Sequence, residues 1–510
     1  MAYSYISSSQ IILLKAHIIS IETDISRGLH SFSIVGLGDK SIDESKDRVS
    51  AAIKNSGYKS PKQRNIKITV SLAPAHIRKN GPIFDLPIAI GYLLATKEII
   101  CNTDEYLFVG ELALDGSIKA VDGVLSFAKA AKEMGFKKLF IPKENSQEAS
   151  LIKGIDIIPL KNLREAVDYL EKRINIKPLL FIEPETETCT AQYKGICIDD
   201  IVGQDSAKRA IMIAAAGGHN IIISGPPGTG KTMLARSIQS ILPPLSFEET
   251  LEVTEIHSIS GHLKDGFLVR PPVQSPHHSS SLTSIIGGGS IPKPGEITLA
   301  HRGILFMDEF PEFHRDVIES LRQPLEDRTI SFSRIKGSAI FPANFILIAT
   351  CNTCPCGKKD IPGMKCICSA KDMLRYERKI SGPIIDRIDM WIDVHTSPHE
   401  KLIHKTLRTN EVSGIRYLVT MARKKQKDRL SVLGINIALN SDIPSRDIQS
   451  FVKLSPDAIS MLEQAVNQYV LSGRGIHRVI KLARTIADID SSEEIKAPHI
   501  LEALQYRQRK

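Results

Sequence analysis

The chain has 510 residues, room for roughly three domains of ordinary size. Hydrophobic residues make up 42% and charged residues 24%, a globular balance that excludes a disordered chain, a collagen and a simple membrane protein. The net charge of +9 leans towards a polyanionic partner without requiring one, because many nucleotide-binding proteins are basic too.

The first seventeen residues have no basic segment ahead of their apolar patch and no clear cleavage site, so no secretory signal is read. Eight cysteines are too few for a disulfide scaffold; reduced thiols in the cytoplasm fit better. The first block, residues 1–172, alternates short β-like runs (30–35, 66–72, 107–109) with helical stretches. One helix is expected near Ser41, with Asp43 and Glu44 in its first turn, and another over residues 86–94. This reads as a compact α+β domain. Residues 173–197 lose all periodicity around Pro178 and Pro184 and read as a linker.

The second block, residues 198–396, carries short apolar runs at 221–223, 303–307 and 345–350, separated by helical segments. Such runs predict buried parallel strands and an α/β fold. The third block, residues 397–510, reads as helical. Ser455, Pro456 and Asp457 start one helix, with Ile459, Leu462, Val466 and Tyr469 expected along one face; residues 472–475 break it, and another begins at Ile476.

Gly225, Pro226, Pro227, Gly228, Thr229, Gly230, Lys231 and Thr232 follow the strand-like run and precede a helical one. Strand, glycine loop and helix make a phosphate cradle, because glycines let backbone N–H groups turn inward. Lys231 would hold the β- and γ-phosphates of ATP and Thr232 would ligate Mg²⁺, with the helix dipole assisting. Asp308 and Glu309 end an apolar run: Asp308 suits Mg²⁺, and Glu309 suits the polarisation of attacking water. Asn352, just past a third run, can position that water.

Five of the eight cysteines lie between Cys351 and Cys368. Cys354 with Cys356, and Cys366 with Cys368, form two close pairs around a polar loop, a pattern that can hold Zn²⁺ as four thiolates. Free reduced thiols and a redox switch are the other readings, and Cys351 is left outside the pairs.

The chain resembles an AAA+ ATPase, and within that group the magnesium-chelatase-related ComM (YifB) family. The resemblance is carried by SIVGL at 33–37, SLAPA at 71–75, FDLPIA at 84–89, GELALDG at 110–116, AAAGGHN at 214–220, the glycine loop, PHHS at 276–279, GGG at 287–289, PGE at 294–296, CPCG at 354–357, SGP at 381–383 and DRID at 386–389. It implies a Lon-protease-like first domain, an AAA+ core with a parallel sheet, and a helical lid. It also implies a homo-hexameric ring with ATP between subunits. Arg387 matches the position of a finger that reaches the neighbour's ATP, and Arg474 that of a lid arginine sensing the γ-phosphate, with Arg478 competing. An inserted hairpin is implied within residues 258–294, which carry Lys264, Arg270 and Lys293; the turn at Arg334 and Lys336 is a second place for backbone-phosphate contact.

Lon-type proteases use a Ser after a Gly-Pro step and a later Lys. Here Ile83 and Leu125 fall at those places, and neither has a nucleophilic atom or an amine. The first domain therefore reads as a platform for assembly or DNA guidance. Its basic residues Arg48, Lys59, Lys62, Arg64, Lys79 and Lys119 are read as a solvated face ahead of a nucleic-acid one. The function expected is an ATP-driven DNA translocase or helicase promoting branch migration in recombination and natural transformation, with no membrane partner. A chelatase-type motor remodelling a partner protein is the alternative; a protease and a static nucleotide-gated scaffold rank below it.

Overall fold

The computed structural model describes residues 2–184, 195–263, 266–289, 292–334, 337–361, 363–395, 411–431, 439–469 and 471–507. The chain divides into two compact units: Met1–Glu185 together with Phe247–Leu268, and Thr186–Ser246 together with Val269–Lys510.

The first unit is built on a seven-stranded mixed sheet. In spatial order its strands are Ser31–Val35, Ile66–Ala73, Lys15–Arg27, Ala2–Ile12, Tyr106–Phe108, Lys138–Pro142 and Asp156–Leu160. The two long N-terminal strands form an antiparallel hairpin, and the last three strands run parallel to Ala2–Ile12 and to one another. The expected helices are Lys40–Asn55, capped by Asp39, and Asp85–Ala95. The second is buried on almost every side. Its first residue, Asp85, is fully buried, and Arg48 meets it at 2.8 Å. Burial raises the Asp85 carboxyl from its ordinary value, against the opposing pull of Arg48, Ser45 and the Leu112 N–H. Arg48 is thus a structural cation. Lys79 is fully buried with its ammonium on the Pro74 carbonyl, so it lies neither on the solvated face expected of it nor on a nucleic-acid one. Arg64 pairs with Glu98 and Lys62 with Asp47, while Lys59 and Lys119 are exposed.

Residues 173–184, expected as linker, still belong to this unit: the Leu179 N–H donates to the Ile157 carbonyl at 2.9 Å and the Ile182 N–H to Ser150 at 3.0 Å. More unexpected is the segment Phe247–Leu268. The sequence places it inside the ATPase core, yet it packs with the first unit. Its helix, Phe247–Ile259, lies on the helix Val124–Glu133. The Ser258 hydroxyl donates to Glu148 at 2.6 Å and accepts the Gly123 N–H at 2.9 Å, while Glu255 accepts from Ser126 at 2.8 Å. These buried polar contacts satisfy one another, which is why the segment settles there. Ile83 and Leu125 are both buried, at 8% and 2% exposure.

The second unit is an all-parallel five-stranded sheet in the order Val273–Gln274, Ile304–Met307, Ile346–Cys351, Ile221–Ser224, Met390–Asp393. The apolar runs are the three central strands, buried because helices cover both faces. A two-stranded hairpin, Gly287–Gly288 with Lys293–Pro294, lies in the implied insertion and exposes Lys293. A second antiparallel hairpin pairs Thr329–Arg334 with Gly337–Pro342. Lys264 and Lys336 lie outside the described residues.

The helices Glu411–Ser431, Pro456–Tyr469, Gly473–Ile489 and Ala497–Gln505 form the C-terminal part. Along Pro456–Tyr469 the buried side chains are Ala458 and Ala465, with Met461 and Leu462 packed on the core. Ile459 and Tyr469 point outward at 45% and 59% exposure. Leu462 packs as expected, but the rest of the packed stripe lies one position earlier, at Ala458, Met461 and Ala465, because small alanines there carry little hydrophobic signal in the sequence.

Candidate active site

Three adjacent parallel strands end side by side: Ile221–Ser224, Ile346–Cys351 and Ile304–Met307. Crevices outside the carboxyl ends of such strands are where α/β sheets bind ligands. The glycine loop leaves the first strand and enters the helix Lys231–Ile241, whose N-cap, Gly230, has φ +84°. Gly228 is also left-handed, at φ +78°. A Cβ on Gly225 would stand 2.4 Å from the Val394 carbonyl oxygen, so only glycine fits there. The Thr229 hydroxyl donates to the Pro226 carbonyl at 2.9 Å and pins the turn.

Lys231 folds back under this loop. Its ammonium donates to the Gly225 and Pro226 carbonyls, both at 2.8 Å, and to Asn352 Oδ1 at 3.2 Å. Burial holds its pKa below the ordinary lysine value, against the attraction of the Asp308 and Glu309 carboxylates. Burial also pushes the Cys351 thiol up to about 11, so this cysteine is a neutral neighbour.

Thr232 donates to Asp308 Oδ2 at 3.0 Å, which brings the two expected magnesium ligands together. Both are hard oxygen donors, the kind Mg²⁺ accepts. Thr350, which sequence reasoning took only as a strand end, is buried and bonds to the other Asp308 oxygen. Its Oγ1 accepts the Glu309 N–H at 3.0 Å. Glu309 itself is exposed and has φ +52°, a conformation costing roughly 1 kcal/mol for a residue with a Cβ. The Thr350 contact and the Glu312 N–H bond to the Glu309 carbonyl at 2.7 Å hold it there. The Asn352 N–H donates to the Tyr376 hydroxyl at 3.3 Å, and Tyr376 was likewise unforeseen. A threonine at a strand end carries no marker that separates this role from simple β-propensity.

The arginines form a separate group. Arg387 donates to the Pro383 carbonyl at 2.7 Å and pairs with Glu326. Arg474 reaches the other oxygen of the same Glu326 at 3.2 Å. Arg387 and Arg474 thus share one carboxylate, Glu326. Asp389 instead accepts the Asn220 N–H at 3.0 Å and faces Arg478 at 3.8 Å. Burial opposes ionisation of Asp389, but His219, Arg478 and the Asn220 N–H outweigh it and hold its carboxyl below the ordinary range. Arg478, largely buried and also bonded to the Ile388 carbonyl, belongs to the packing of the C-terminal helices; Arg474 has its side chain 62% exposed. Arg270 is half-buried and Arg334 closes the second hairpin opposite Gly337.

The four cysteines converge. Cys354, Cys356, Cys366 and Cys368 have all their Sγ atoms within 4.8 Å of one another. A tetrahedral zinc thiolate, with Zn–S about 2.3 Å, has S···S edges of about 3.8 Å. The separations among Cys354, Cys356 and Cys366, 3.5, 3.6 and 3.8 Å, fit one face of that shape, with Cys368 Sγ within 4.8 Å of all three.

Family models cover most of the chain. "Magnesium chelatase, subunit ChlI" matches residues 197–402, "Subunit ChlI of Mg-chelatase" residues 21–145, and "Magnesium chelatase, subunit ChlI C-terminal" residues 410–507. The chain is 39% identical to the YifB protein of Escherichia coli, over 99% of its own length and 97% of that protein. It is 38% identical to competence protein ComM of Haemophilus influenzae, over 97% and 95%. A more distant similarity, 27% over 33% of this chain, links it to Lon protease 2 of Bacillus subtilis and spans 31% of that enzyme.

Proposed function

The chain belongs to the ComM/YifB family of magnesium-chelatase-like AAA+ proteins, and from that premise we propose that it is an ATP-driven ring translocase on DNA. It would act in the cytoplasm as a homo-hexamer, promoting branch migration during recombination and natural transformation. The observation that carries the catalytic part is the convergence of Lys231, Thr232, Asp308 and Asn352 within hydrogen-bond reach at the ends of three neighbouring strands.

In this reading the loop amides of residues 225–230 cradle the ATP phosphates, and Lys231 exchanges its loop carbonyls for phosphate oxygens. Thr232 and Asp308 hold Mg²⁺, which when bound neutralises charge developing on the phosphates. Glu309, exposed beside Asp308, takes the proton of the attacking water. Asn352 steadies that water. Arg387 and Arg474, sharing Glu326, are offered together to the ATP of an adjacent subunit, where each contributes charge a single chain lacks. Cys354, Cys356, Cys366 and Cys368 hold a structural zinc. Residues around the two hairpins, with Lys264, Arg270, Arg334 and Lys336, grip the DNA backbone by charge alone.

The printed name of the Haemophilus relative, a competence protein, supports the recombination part. The chelatase-type reading, a motor that remodels a partner protein, is favoured by the chelatase descriptions of all three family models. The deciding experiment is ATP-dependent movement of a fluorescent four-way DNA junction, with Glu309→Gln as control. Movement together with DNA-stimulated hydrolysis supports the translocase; hydrolysis indifferent to DNA, with a stationary junction, leaves the chelatase-type motor.

A further inference from the structure

The cysteine loop does not stand apart from the nucleotide loop. Between the strand end at Cys351 and the helix Ala370–Glu377, the described chain makes neither helix nor strand. Few internal contacts define such a segment, so a cross-link within it has a large ordering effect. Its turn is closed by the Gly357 N–H on the Cys354 carbonyl at 3.0 Å, and the Lys359 N–H donates to Cys354 Sγ at 3.4 Å.

This turn presses on the nucleotide loop. Gly357 has φ +70°, and a Cβ there would lie 2.8 Å from Pro227 Cγ. Pro227 is at the crest of the glycine loop, while at the base of the loop the Gly225 N–H donates to the Cys351 carbonyl at 3.2 Å. Between these two supports lies Asn352, bonded to Lys231 and held from the other side by Tyr376. One stretch of chain, residues 351–357, therefore touches the nucleotide loop at its base, its lysine and its crest, and Cys354 and Cys356 lie within that stretch.

We propose that the four thiolates bind one zinc ion and that this ion braces the nucleotide loop, so that zinc and ATP bind cooperatively. The proposal rests on the zinc and phosphate-loop readings above and adds the coupling between them. Zinc fixes where Gly357 sits, Gly357 fixes the crest at Pro227, and Asn352 is carried in register with Lys231. Coupling between sites is reciprocal: whatever factor zinc adds to ATP affinity, ATP adds to zinc affinity.

The test uses the full-length chain in magnesium buffer. Metal content is measured by mass spectrometry, and the dissociation constant of a fluorescent ATP analogue is measured before and after zinc removal with a chelator that ignores magnesium. We expect one zinc per chain, and a loss of nucleotide affinity of about tenfold on removal, within the usual range of coupling factors. Re-added zinc restores it. The converse measurement keeps the protein loaded and folded throughout. Zinc affinity, read by chelator competition, rises by the same factor when a non-hydrolysable ATP analogue is present, and no longer responds in Lys231→Ala. Gly357→Ala keeps its zinc but binds the analogue more weakly. A chain that never contains zinc removes the metal site itself while leaving the phosphate loop intact. A chain that holds zinc, yet shows the same zinc affinity with and without nucleotide, keeps the site and overturns the brace.

Discussion

In the first unit, the turn at Gly81 and Pro82 delivers Ile83 into the core, and the left-handed Gly123 opens a helix whose second residue, Leu125, is buried. In the second unit, the turn beginning at Gly225 delivers Lys231 and Thr232 to polar partners, and the left-handed Glu309 follows the Asp308 strand. Both units use glycine turns that lead into helices. What separates them is the chemistry of the delivered side chains. Apolar atoms make the first turns a packing surface; ammonium, hydroxyl and carboxylate groups at the second, sharing hydrogen bonds, make it a site. A likeness of fold alone therefore carries no activity, and the side chains at the turns decide it.

The contrast can be broken or sharpened by substitution. Arg387→Ala should keep ATP-analogue binding but lower turnover by about 10³-fold or more, the usual worth of an arginine supplied across an interface. Steady-state hydrolysis beside analogue binding checks this, and unchanged turnover would remove Arg387 from the site. Glu309→Gln should lower hydrolysis by roughly 10²- to 10⁴-fold with nucleotide retained; single-turnover kinetics on pre-bound ATP read it directly. In the first unit, Ile83→Ser combined with Leu125→Lys restores both groups of the Lon-type pair. The expected result is no cleavage of casein and a unit less stable by about 2–4 kcal/mol, from lost apolar burial and an ammonium placed among apolar atoms. Peptidase activity in that variant would erase the distinction drawn above.

The smallest expected effect concerns Glu148, 3% exposed beneath the inserted helix. Burial raises its carboxyl from 4.5 to about 7, against the hydrogen bonds from Ser258 and Asn145. The folded chain thus holds this proton more tightly than the unfolded chain. The wild type is favoured below pH 4.5 and loses stability as pH rises from 4.5 to about 7, by up to roughly 3 kcal/mol. Glu148→Gln keeps an amide that can still bond to Ser258 and should flatten that slope; melting curves of the two proteins across pH 4–8 compare it.

Much of the second unit was legible because its central strands are unbroken apolar runs and its loop needs glycines at fixed places. Residues 221–223 and 304–307 could hardly be anything but buried strands once the loop was seen between strand and helix. The first two strands were not foreseen. Ala2–Ile12 buries Ser7, Ser8 and Ser9, and their hydroxyls are satisfied within the fold: Ser8 on the Phe108 carbonyl at 2.8 Å, Ser9 on His17 at 3.0 Å. Lys15–Arg27 does alternate, with Ile19, Ile21 and Ile25 buried, and was readable; a strand whose buried side is polar, as along Ala2–Ile12, leaves no hydrophobic alternation. The inserted helix was missed for the same reason, since Thr250, Thr254, His257 and Ser258 are among its buried residues. Glu326 and Thr350 were missed because their roles depend on residues far away in the chain, Arg474 and Asp308.

The passage of residues 247–268 through the first unit has a consequence for how the protein is made. On the ribosome, Ser258 cannot cover Gly123 and Glu148 until the segment 247–268 has been made, and that segment follows the entire glycine loop in the chain. Completion of the first unit thus waits on translation of the loop-bearing part of the second. Cutting the chain at the linker would leave one part without its closing helix and the other with that helix stripped of its packing partner.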